Sequence, residues 1–142
     1  MRYYWIAAAW LFLAASGLTA ATTGPKSKLY IIAPYDKLYV LQGNTLEQSW
    51  RAIGKGPIVV EDTVRLMGVS RWDSGAEYTL NGTHTGTNYA FPTPLYNDRF
   101  YDGTTDGQYN YSWGYDSAAA WRFDRNWQNP VRLFTLDHCC PR

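Results

Sequence analysis

The chain has 142 residues and a formal net charge of +1, from 13 basic and 12 acidic side chains. A near-neutral, mixed surface gives no electrostatic footprint for nucleic acid or an anionic membrane, and the length suits one small domain. Twelve Tyr, seven Trp and twelve Gly weigh the composition toward short strands and tight turns rather than helices.

The N-terminal stretch 1–21 is read as a signal peptide. Arg2 is followed by the uncharged apolar run Tyr3 to Leu13, then by the small residues Ala14, Ala15, Ser16, Gly17, Ala20 and Ala21. A positive start, an apolar middle and a small-residue end are what the export machinery recognises. The predicted segment is a signal helix cleaved after Ala20 or Ala21, which would make the protein secreted or periplasmic. A retained membrane anchor is the alternative, since the uncharged stretch is about long enough to span a bilayer. No later apolar run is long enough to do so, so no membrane association is expected after cleavage.

Beyond this segment three stretches share a pattern. Tyr39-Val40-Leu41 leads into Gln42-Gly43-Asn44, Tyr78-Thr79-Leu80 into Asn81-Gly82-Thr83, and Trp121-Arg122-Phe123 into Asp124-Arg125-Asn126. An aromatic and an aliphatic or Phe at i and i+2 share one face of a strand, and the polar residues after them turn the chain into a hairpin. Returning strands are predicted at Trp50–Ile53, Tyr89–Phe91 and Val131–Leu136. Preceding strands are predicted at Leu29–Ile32, Thr63–Met67 and Tyr109–Trp113. The repeat recurs about every 40 residues, the range of β-propeller blades of the WD-repeat and kelch sort.

The segment Tyr101-Asp102-Gly103-Thr104-Thr105-Asp106-Gly107-Gln108-Tyr109-Asn110-Tyr111, followed by Trp121-Arg122-Phe123-Asp124-Arg125-Asn126-Trp127, resembles one repeat of exported bacterial β-propeller-type proteins. In such repeats an Asp-Gly turn opens the blade, and a Tyr-Arg-Phe-Asp-like strand closes on a short Asn-containing turn. The resemblance runs from Phe100 to Leu136 and is fainter over Tyr78 to Phe91 and Leu29 to Ile53. It implies an all-β fold of about three propeller-like blades of short antiparallel strands, with repeats at about 28–57, 58–98 and 99–137 in a domain spanning 22–137, and a tail at 138–142. A closed propeller has four to eight blades. A truncated propeller is the favoured expectation; an oligomer that completes a ring, or a small sandwich that closes differently, is the alternative. The last strand, Val131–Leu136, is expected at an open edge prone to self-association.

No catalytic constellation stands out: there is no Gly-x-Ser-x-Gly elbow, no His-Glu-x-x-His and no phosphate-cradling glycine loop. No cofactor and no metal are expected. Asp102 to Gly107 could offer oxygens to calcium but lacks the closing Glu, and reads more simply as a pair of tight turns. His84 and His138, the only histidines, lie in different repeats, and His84 reads as a solvated turn residue. Asp73, Glu77, Asp98 and Asp116 could meet as glycosidase acids, as any four carboxylates could. Adjacent Cys139 and Cys140 cannot staple distant strands of one chain. Asn81 and Asn110 open glycosylation-type tripeptides.

Five aromatics fall at or beside predicted loops and are the candidate ligand-binding residues: Trp72, Tyr96, Tyr101, Tyr115 and Trp127. Exposed rings stack on sugars or anchor a protein partner, whereas covered rings would serve as core. The expected function is a non-enzymatic exported module binding a protein or a glycan. The alternatives are a propeller-type hydrolase or lyase acting on carbohydrate, and a structural cell-surface protein.

Overall fold

The computed structural model describes residues 27–33 and 37–136. The stretch 1–21 read as a signal peptide and the tail with His138, Cys139 and Cys140 lie outside the described residues. Within them the chain is all β, in three antiparallel sheets. The first sheet runs β1 (Lys28–Ala33), β2 (Lys37–Gln42), β3 (Thr45–Arg51). The second runs β4 (Ile58–Val60), β5 (Thr63–Leu66), β6 (Gly75–Thr79), β7 (His84–Tyr89). The third runs β8 (Phe100–Thr105), β9 (Asn110–Gly114), β10 (Ala119–Phe123), β11 (Val131–Thr135). One short 3₁₀ turn, Thr93–Leu95, joins the second sheet to the third.

Each sheet contains the expected strand–turn–strand unit, but the second and third have a further strand at the start. β8 runs through the segment expected to be turns. Its bulge between Phe100 and Gly103 keeps it paired to β9, and the partner strand supplies the hydrogen bonds that local composition does not promise. Gly103 is required there because a Cβ would lie 2.9 Å from Pro57 Cβ and 3.0 Å from the Ile58 carbonyl. The returning strand of the second unit also differs, covering His84–Tyr89 rather than Tyr89–Phe91. Its polar residues suit the edge of the sheet, where one side of the ladder faces solvent. β3 likewise starts at Thr45, leaving Ala52 and Ile53 outside it.

The sheets stack face to face in chain order. Leu38 and Val40 from β2 pack on Val64, Leu66, Ala76 and Tyr78, forming the core between the first and second sheets. Val59, Met67, Tyr89 and Phe91 pack on Phe100, Phe123 and Trp127, forming the core between the second and third. Burying a side chain of this size contributes roughly 1.5–3 kcal/mol. Aromatic contacts thread the second core: Phe91 to Phe100, Phe100 to Phe123 and Phe123 to Trp127, at ring separations of 6.0, 5.7 and 5.6 Å. β11 ends the third sheet, and all five of its residues are exposed.

Candidate functional site

The loop between β5 and β6 is pinched at its base. A Cβ on Gly75 would lie 2.0 Å from the Leu66 carbonyl, and one on Gly68 would lie 2.6 Å from that of Asp73. Only glycine allows the two arms of the loop to approach this closely. A turn bond from the Asp73 amide to the Ser70 carbonyl, 2.9 Å, closes the tip. Near the tip of this loop Trp72 stands in solvent, 81% exposed, with the Arg71 guanidinium stacked 4.3 Å from its ring.

Trp72 stands at the rim of an open cleft of about 650 Å³ between the end of β3 and the second sheet. Tyr78 lines the cleft, held in place by its hydroxyl, which accepts from the Ile53 amide at 2.7 Å. His84 meets Tyr78 edge-on at 5.3 Å. It belongs to β7 rather than to a turn, with Nδ1 accepting from the Gly86 amide at 3.1 Å and Nε2 3.3 Å from Asn88 Oδ1. Arg51, Lys55, Asp73 and Ser74 supply polar groups around the opening, with Lys55 and Asp73 4.0 Å apart. An exposed ring beside donors and acceptors of both charges is the surface chemistry that a sugar uses: C–H bonds on the ring face, hydroxyls on the polar groups.

Tyr101 and Tyr115 form a second exposed group. Their rings meet edge-to-face at 6.2 Å, and the Arg99 guanidinium stacks 4.9 Å from Tyr115. Arg99 also grips Asp116 through two bonds of 2.8 and 2.7 Å, which hold the Asp116 carboxyl below its usual range. Asp98 builds this corner from beneath. Its buried carboxylate accepts from the amides of Arg99 and Asp116 at 2.9 and 2.8 Å and from the Ser117 hydroxyl. Tyr96 lies apart from that pair in its ring contact, which is with Phe91 at 6.2 Å.

Trp127 does not belong to a surface site. It is fully buried in the core between the second and third sheets. The turn after β10 explains the difference. Trp127 takes φ +60°, its amide bonds to the Asp124 carbonyl at 2.9 Å, and the Asp124 amide bonds to the Gln128 carbonyl at 2.9 Å. This left-handed turn directs the indole inward against Phe123, although the residue sits beside a polar loop in the sequence.

The remaining candidates are occupied by structure. In the Asp102 to Gly107 segment, the Asp106 carboxylate accepts from the Gln108 and Tyr109 amides and the Tyr111 hydroxyl at 2.9, 2.7 and 2.6 Å. Among the described residues no three His, Cys, Asp or Glu side chains gather as a metal site would need. Of the four carboxylates, Asp98 and Asp116 come together, but in the corner just described. Glu77 is taken up by Thr63, Thr85 and Tyr89 at 3.2, 3.0 and 3.2 Å. Burial, with Glu77 beside it, pushes the Tyr89 phenol well above its usual pKa. Asn110 is fully buried, so its tripeptide serves the fold rather than presenting an acceptor. Composition carries no warning of the Gly68–Gly75 neck; its signal is two glycines flanking Arg71-Trp72-Asp73.

No protein-family model matches the chain, and no curated protein and no solved structure is significantly similar to it.

Proposed function

We propose that this chain is an exported, non-enzymatic module of propeller-like β repeats that binds a glycan at the Trp72 cleft. The observation that carries the reading is Trp72 itself, a tryptophan 81% exposed on a glycine-pinched loop at the rim of a cleft. Holding so large an apolar ring in water has no folding benefit, and stacking on a sugar face would recover its burial. Export rests on Arg2, the apolar run and the small residues that follow. The propeller-like reading rests on the repeated aromatic pair and on three sheets stacked in chain order.

The test is affinity electrophoresis of the purified chain through gels containing neutral and acidic polysaccharides. At least one is expected to retard the wild type. Trp72→Ala should weaken that retardation at least about tenfold, equivalent to ~1.4 kcal/mol, while Tyr115→Ala leaves it unchanged. Equal retardation of Trp72→Ala and wild type would remove the cleft as the site. N-terminal sequencing of the exported product should begin at Ala21 or Thr22; an intact Met1 on membrane-bound material would show an anchor instead.

A further inference from the structure

The repeated aromatic pair marks which way each sheet faces. Tyr78 on β6 lies in the core between the first and second sheets. Trp121 and Phe123 on β10 lie in the core between the second and third. In both sheets the aromatic of the pair looks back at the preceding sheet, although Leu80, just past β6, is 40% exposed. The equivalent pair on β2 is Tyr39 and Leu41, which alternate with the core residues Leu38 and Val40 and so occupy the opposite face. The register sets Ile31 beside Tyr39, and Leu29 and Leu46 on either side of Leu41. Leu29 is 59% and Leu46 54% exposed. The first sheet thus has a backward-looking apolar face, and no preceding sheet covers it among the described residues.

The other end of the stack has a forward-looking face. The third sheet turns Asn110, Ser112 and Phe123 inward. Its outer side carries Tyr111 and Trp113, and the register places Ala120 between Trp113 and Phe134. The Trp113 and Phe134 rings are 6.4 Å apart, and Phe134 is 55% exposed.

We propose that these two end faces form an interface between copies of this chain: the Trp113–Phe134 face of one copy stacks on the Leu29–Leu41–Leu46 face of the next. The partner is a second copy because the contact continues one the chain already makes twice, in which a sheet's aromatic-pair face receives the forward face of the sheet before it. Lys37 and Arg122, which stand on these faces, are each stacked on a tyrosine, Tyr39 of β2 and Tyr109 just ahead of β9, at 5.3 and 4.3 Å, leaving the apolar side chains to meet. The two faces differ, so the contact is head-to-tail. It closes a ring if the rotation permits and extends otherwise. It is made by side chains across sheet faces and leaves the β11 edge unpaired, unlike edge-to-edge association.

Sedimentation of the purified chain at micromolar concentration tests this. The wild type should sediment at twice the chain mass or more. The double variant Leu29→Arg with Leu46→Arg blocks one face, and Phe134→Arg blocks the other; each alone should sediment as a monomer. Mixed, they retain one compatible pair of faces and should form a one-to-one dimer that grows no further. A misfolded variant could not restore that dimer, so its appearance also vouches for both folds. A monomeric wild type, association that survives either variant, or folded variants that stay monomeric when mixed would each overturn the proposal.

Discussion

Arg65 and Asn110 meet across the boundary between the second and third sheets, where the buried guanidinium donates to Asn110 Oδ1 at 3.4 Å. Asn110 passes the connection on, its Nδ2 donating to the carbonyls of Asp124 and Arg125 at 3.3 and 3.0 Å. Arg125 returns across the boundary to Glu61 at 3.0 Å, and Glu61 also pairs with Arg65. Two sheets whose apolar packing is non-directional are thereby held in one relative position by a closed circuit of directional bonds.

That circuit makes its members unequal. Glu61→Ala takes from the buried Arg65 cation its closer ion-pair partner, leaving Asp62 at 3.8 Å, and should destabilise by about 3 kcal/mol. Arg65→Met removes the buried charge along with its bonds and leaves Glu61 paired to Arg125, so its loss should be smaller. Urea unfolding of both variants, compared at unchanged slope, measures the difference. Equal losses would mean that Glu61 does not support the buried cation.

The two tryptophans of the candidate set should separate cleanly. Trp127→Ala opens a cavity in the aromatic core and should cost about 3–5 kcal/mol. Trp72→Ala removes a ring that touches mostly solvent and should shift stability by no more than about 0.5 kcal/mol. Thermal unfolding followed by tryptophan fluorescence reads both. A large loss for Trp72→Ala would show that its ring supports the fold.

Gly114 is the tightest point of the Tyr101–Tyr115 corner. A Cβ there would lie 2.1 Å from Asp98 Oδ2 and 2.5 Å from Ser117 Oγ. Gly114→Ala must displace the carboxylate that organises the corner and should cost about 2 kcal/mol. The aromatic near-ultraviolet dichroism should change with it. A variant as stable as wild type, with the same spectrum, would mean that Asp98 does not organise the corner.

Acid should loosen the turn between β8 and β9. The Tyr111 hydroxyl, then the Tyr109 and Gln108 amides, hold the Asp106 carboxyl below its usual pKa. Its folded value lies below its unfolded value of about 3.9. The stabilisation is therefore complete above that unfolded value and is lost as pH falls through the folded one. Asp106→Asn should melt below wild type at neutral pH, and the gap should narrow steadily as the pH drops beneath about 4. A gap that stays constant into acid would show that the charge contributes nothing.

What the sequence determines by itself is local. Alternation at Tyr39 and Leu41, Tyr78 and Leu80, and Trp121 and Phe123, each followed by turn residues, is enough to place three strand–turn–strand units, because side-chain period and turn preference act within a few residues. Other features depend on partners far along the chain. Ile58–Val60 is too short to announce β4, and the turn-like Asp102-Gly103 becomes strand because β9 lies alongside it. Trp72 and Trp127 both sit beside polar loops, yet one stands in solvent on a glycine-pinched loop and the other is buried at φ +60°. Burial is a property of what packs opposite, so the stacking of the sheets alone decided that Tyr78 and Phe123 are core while Leu29 and Phe134 remain in water.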